Sequence, residues 1–108
     1  MKPPALPAES EAEFIEKARA LLDMCGWRWW HVRTSIGTNP GLPDIIAVHR
    51  TVIRPILWIE LKTLKGKVSP EQKEGIEILL FQGAEVHVFR PGQEQELADL
   101  LGPRPQDR

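Results

Sequence analysis

Residues 40–62 read PGLPDIIAVHRTVIRPILWIELK. Two apolar runs, 45–49 and 56–61, are rich in β-branched residues and have strand length. Residues 50–55 lie between them with a proline and no glycine, which predicts a hairpin with an open loop. If that loop centres near Val52 and Ile53, antiparallel pairing brings Asp44 beside Glu60 and Leu61. Glu60 and Lys62 are two apart, so a strand points both to one face. Two carboxylates and one amine then meet at one end of a hairpin. Oxygen ligands of this hard type suit magnesium or manganese. The plain alternative is that the charges are solvated strand ends; paired ionisable groups ending buried strands mark a candidate site.

Working outward, Ser10 with Glu13 three residues on fits a capping box, which gives Glu13 a capping role. Phe14, Ile15, Ala18, Leu21 and Leu22 then recur at helical spacing, and Gly26 predicts the stop. Glu11 stands three and four residues before Phe14 and Ile15, on the inward face of that helix. Its simplest role is to complement the positive helix N-terminus.

Residues 27–33 (WRWWHVR) have strand composition. Alternation puts Trp27, Trp29, His31 and Arg33 on one face and Arg28, Trp30 and Val32 on the other. Apolar groups on both sides predict a strand covered on both faces. The tryptophans read as core or subunit interface rather than as a base-stacking platform. His31 is either a phosphate donor or a core histidine. Residues 34–42 form a polar loop running into Asp44.

After Lys62, residues 63–68 hold Lys65, Gly66 and Lys67, a phosphate-tracking loop or simply a mobile one. Ser69-Pro70-Glu71-Gln72 starts a helix, with Ser69 as cap, Pro70 in the first position and Gln72 as reciprocal partner. Lys73 lies on the same turn. Ile76, Leu79 and Leu80 form this helix's apolar stripe, which ends at Gly83. Residues 85–90 alternate as a strand, a turn follows at Pro91-Gly92, and residues 93–101 make a last helix through Leu97, Leu100 and Leu101. The order α-β-β-β-α-β-α predicts an α/β domain, a central mixed sheet flanked by helices, with the Glu60 and Glu85 strands parallel across their helical crossover.

Pro43-Asp44 followed by Glu60-Leu61-Lys62 resembles the PD-(D/E)xK nuclease signature. With Gly41-Leu42 in front and Ser69-Pro70-Glu71-Gln72 behind, the order and spacing are similar to the VRR-NUC branch, over about residues 10–88. The resemblance implies a restriction-endonuclease-like core and a Mg²⁺- or Mn²⁺-dependent endonuclease acting on DNA phosphodiesters. It implies Asp44 and Glu60 as metal ligands, Glu11 completing the site from the first helix, and the Leu61 carbonyl as a further ligand. Lys62 would orient water or offset phosphate charge, and Gln72 would sit beside the metal. The family includes structure-specific nucleases of branched DNA, such as flaps. Its small members resemble dimeric Holliday-junction resolvases. A homodimer would also bury tryptophans that cannot all face one side of a strand, with Leu97, Leu100 and Leu101 either joining the contact or capping the core. A non-cleaving DNA-binding module and a plain interaction protein carried by the Trp-rich strand are the competing functions.

At 108 residues the chain suits one domain, residues 10–101, with a proline-containing leader over 1–9 and a polar tail over 102–108. No apolar run approaches membrane-helix length and no signal segment opens the chain. Cys25 is the one cysteine, which excludes an intrachain disulfide and a Cys-rich zinc site and fits a reducing, cytoplasmic setting. Net charge is only -1, but it is unevenly spread. Residues 28–73 carry eight Lys/Arg against three Asp/Glu, while both flanking segments are acidic. The basic excess surrounds the candidate site, where a phosphate backbone would need it. Arg33, Lys65, Lys67 and Lys73 are the candidate phosphate contacts.

Overall fold

The computed structural model describes residues 10–32 and 41–103. The expected leader over 1–9, Arg33 with most of the loop after it, and residues 104–108 lie outside the described residues, as does the side chain of Glu11.

Seven elements run in the expected order: α1 (Glu11–Met24), β1 (Trp27–His31), β2 (Ile45–His49), β3 (Leu57–Leu61), α2 (Pro70–Phe81), β4 (Glu85–Phe89) and α3 (Glu94–Leu101). Ser10 Oγ accepts from Glu13 N at 3.1 Å to open α1. Gly26, at φ 86°, ends it in a backbone conformation that favours glycine. The sheet order is β1-β2-β3-β4. The first two pairs are antiparallel, and β3–β4 is parallel across the α2 crossover.

Alternation divides the sheet into two unlike faces. One packs Trp27, Ile45, Ala47, Leu57, Ile59, Leu61 and Phe89 against Phe14, Ala18 and Leu22 of α1 and Leu97 and Leu101 of α3. Trp27 is locked there: its Nε1 donates to Leu101 O at 2.9 Å, and the Arg54 guanidinium lies 4.7 Å over its ring. Arg54 also donates to the carbonyls of Leu100 at 2.6 Å and Gly102 at 2.9 Å. It thereby satisfies the open end of α3 from the hairpin loop.

The opposite face carries Arg28, Trp30, Ile46, Val48, Trp58, Glu60, Val86 and Val88, and α2 covers it only in part. Two expectations are corrected here and one open alternative is decided. First, β1 is an edge strand that the described residues cover on one face only; Trp30 is 45% exposed, with Arg28 stacked 4.4 Å over its ring. Alternation reveals which residues share a face, not whether anything lies on it. Second, the stripe of Ile76, Leu79 and Leu80 reaches no core, since α2 has no buried residue. Third, Leu97 and Leu101 are buried and cap the core, so they offer no contact to a partner.

Candidate active site

The hairpin register sets the site. Ile45 pairs with Ile59, so Asp44 lies across from Glu60 at the end of β3. Asp44 N donates to Glu60 Oε1 at 3.1 Å, and Leu61 N donates to Asp44 Oδ2 at 3.2 Å. Each carboxylate is thus oriented by a backbone amide of the other strand. Lys62 Nζ lies 3.1 Å from Glu60 Oε2.

Gln72 comes from the first turn of α2 and uses both ends of its amide. Its Oε1 accepts from Ser69 N at 3.3 Å, while Ser69 Oγ accepts from Gln72 N at 3.1 Å, closing the capping box. Its Nε2 donates to Glu60 Oε2 at 3.0 Å. The helix cap and the contact with Glu60 therefore belong to one side chain. The box holds the amide plane so that the nitrogen can only face the carboxylate.

Glu60 is 2% exposed, as deeply buried as the core leucines. Its burial and the neighbouring Asp44 carboxylate raise its pKa above the ordinary 4.5, an effect offset in part by Lys62 and Gln72. The oxygen donors of the two acids are of the hard type that Mg²⁺ or Mn²⁺ takes, and Lys62 already sets one positive charge beside them. Among the described residues no third His, Cys, Asp or Glu joins them. Magnesium tolerates such a site because it commonly keeps several waters.

The corner thus unites Asp44, Glu60, Leu61, Lys62 and Gln72. Lys65, Lys67 and Lys73 are exposed and stand outside it. His31 is exposed, which removes its alternative as a core histidine.

Two contributors were not foreseen. A Cβ on Gly75 would lie 2.0 Å from Gly41 O. Only glycine lets α2 touch the segment leading to Asp44, and this approach keeps Gln72 within reach of Glu60. A lone glycine inside a helical pattern was the available signal. The other contributor is Arg90, just past β4, whose Nη1 donates to Thr63 O at 2.6 Å and Gly66 O at 2.5 Å.

The family model of the VRR-NUC domain matches residues 11–91. The chain belongs to the VRR-NUC domain family. Solved structures agree with this VRR-NUC assignment. One VRR-NUC domain structure is 24% identical with a TM-score of 0.67, covering 82% of this chain and 94% of that one. A VRR-NUC domain protein is 19% identical with a TM-score of 0.60, covering 88% and 87%. Hjc of Archaeoglobus fulgidus, a Holliday junction resolvase from an archaeal hyperthermophile, is 26% identical with a TM-score of 0.54, covering 74% and 67%. No curated protein matches the chain. The mixed four-stranded sheet with flanking helices is the restriction-endonuclease-like fold that Hjc shares. This VRR-NUC chain is therefore a member of a nuclease family. No helix among the described residues is long and apolar enough to cross a membrane.

Proposed function

We propose that this chain is a Mg²⁺- or Mn²⁺-dependent DNA endonuclease that acts on branched DNA, such as a flap or a four-way junction. The observation that carries the reading is the corner where Asp44, Glu60, Lys62 and Gln72 meet through contacts of 3.0–3.2 Å. Asp44 and Glu60 would hold the ion, with the Leu61 carbonyl and Glu11 as further oxygen donors. When bound, the ion shields the attacked phosphate and acidifies water.

The chain's own residues do the rest. Lys62 carries a positive charge to the phosphate side of the corner, where it offsets charge developing on the phosphoryl oxygens. Gln72 fixes Glu60 by donating to one of its oxygens, so the carboxylate meets the ion in one orientation. Burial of Glu60 strengthens each of these electrostatic contacts. The nuclease unit spans residues 10–101, and the lone cysteine suits a reducing cytoplasm.

Branched DNA is favoured by the likeness to Hjc, a Holliday junction resolvase. A homodimer suits a symmetric branch, where two strands are cut. With Trp27, Leu97 and Leu101 committed to the core, the apolar side chains exposed for a second copy include Trp30 on β1 and Ile78, Leu80 and Phe81 on α2. Phe81 there is 85% exposed, beside a groove lined by Pro55, Ile56, Trp58, Gln82, Gly83 and Ala84. Phe81→Ser should lower the solution mass toward the 12.3 kDa of one chain. A wild type that sediments at that mass throughout a dilution series is no dimer.

Cleavage assays on single strands, flaps, bubbles and four-way junctions with Mg²⁺ and Mn²⁺ test the activity. We expect metal-dependent cutting of at least one branched form. Salt-sensitive binding without cutting would make the chain a binding module instead. Glu11→Gln should impair cleavage while Glu13→Gln does not.

A further inference from the structure

The turn that follows Lys62 is pinned in place from another strand. Thr63 to Gly66 close a tight turn, with Gly66 N donating to Thr63 O at 3.2 Å. The carbonyls at its two ends both accept from Arg90 Nη1, at 2.6 and 2.5 Å. Arg90 is itself held fast. Lys62 N donates to Phe89 O at 3.0 Å, extending the β3–β4 pairing up to it. Its own N–H donates to Gln93 Oε1 at 2.8 Å, and its carbonyl accepts from Gln93 N at 3.0 Å.

Gly66 also lies against the catalytic strand's end. A Cβ there would meet Thr63 Oγ1 at 2.8 Å and the Lys62 Cδ at 3.7 Å. The turn is therefore not a free surface loop. It is a fixed ledge beside Lys62, with Lys65 at its tip and Lys67 just past it, both exposed.

We infer that Arg90 is a positioning residue for DNA binding: by clamping both ends of the turn it presents Lys65 and Lys67 as a preset pair of phosphate contacts next to the acids. The inference rests on the DNA-acting reading above and extends it to a residue outside the corner. The pinned turn holds both lysines within reach of the phosphates, whereas a turn released from Arg90 would carry both away, so two contacts would be lost at once. The Arg90 nitrogen that does the clamping is occupied by carbonyls, so its charge acts through the turn rather than on the phosphate.

Salt dependence separates these roles. Each lost phosphate contact lowers the slope of log K against log salt by about 0.9 on duplex DNA. We would measure binding of a synthetic four-way junction in metal-free buffer for Arg90→Gln, Arg90→Lys and the Lys65→Gln/Lys67→Gln pair. The lysine pair should lose a slope of about 2. Arg90→Gln should lose about the same, though it removes only one charge. Arg90→Lys keeps the charge, but its ammonium falls one bond short of the two carbonyls, so it should behave like Arg90→Gln. Adding Arg90→Gln to the lysine pair should change the slope no further.

A loss of about 1 in Arg90→Gln, restored in Arg90→Lys and additive with the lysines, would make Arg90 a direct phosphate ligand and overturn the inference. An unchanged slope in the lysine pair would overturn it even if the Arg90 variants failed to fold. The readout is binding alone. A protein that binds but never cuts would refute the nuclease reading without deciding this comparison, and one that binds no DNA would end both.

Discussion

The two faces of one sheet are built from alternate residues of the same strands and answer to different physics. On β3, Leu57, Ile59 and Leu61 enter the core between α1 and α3, while Trp58 and Glu60 turn the other way. The closed face needs volume and shape. The open face needs particular atoms at particular distances, and it pays in stability by burying a carboxylate beside another. Substitutions on the closed face should therefore cost folding, whereas those on the open face should cost chemistry.

The largest contrast should come from Asp44→Ala and Glu60→Ala. Each removes an oxygen ligand from the proposed ion, and losing several kcal/mol of charge stabilisation slows cleavage by about 10³-fold or more. Circular dichroism should show both variants folded. Full activity in either purified variant would remove it from the site.

Ile59→Ala, one residue away on the closed face, should do the reverse. It should lower unfolding free energy by about 2–5 kcal/mol in a denaturant titration. Cleavage per folded molecule should stay near wild type. Loss of activity at full folding would blur the division between faces.

Gly75→Ala sharpens the comparison, because it touches neither face directly. Alanine gains about 1 kcal/mol over glycine in a helix. The clash with Gly41 O should cost about 1–3 kcal/mol and push α2 from the Asp44 segment. We expect slower cleavage with a net stability loss of no more than about 2 kcal/mol. A variant that is both more stable and fully active would show that the approach is unnecessary.

The smallest expected effect is a pH dependence. The folded-state pKa of Glu60 is raised, first by burial and then by Asp44. The folded chain thus binds this proton more tightly than the unfolded chain. The resulting penalty is fully present above the folded pKa and fades as pH falls through it toward 4.5. Asp44→Asn removes one source of the shift while its amide oxygen can still accept from Leu61 N. In metal-free buffer it should be more stable than wild type at neutral pH, and the gap should shrink on acidification. A gap that is constant with pH would remove Asp44 as a cause of the shift.

Much of this arrangement was legible in the sequence. Asp44 and Glu60 could be paired because loop length and alternation together fix a hairpin register, and Ser69 to Gln72 announced a helix start. Other features lie beyond local pattern. The alternation of residues 27–33 looks the same in an edge strand as in a central one, so the exposure of Trp30 was invisible. Gln72 looked like a choice between cap and site because one letter does not reveal that an amide has two ends to use. Arg90 looked like the end of a strand, since its partners are a turn 24 and 27 residues away.

Titration calorimetry with Mn²⁺ reads the proposed metal corner most directly. We expect wild type to bind at one site per chain, Asp44→Ala and Glu60→Ala to lose that binding, and Lys62→Ala to keep it, because an ammonium has no lone pair to give a metal. Undiminished Mn²⁺ affinity in Asp44→Ala and Glu60→Ala, or its loss in Lys62→Ala alone, would contradict the assignment.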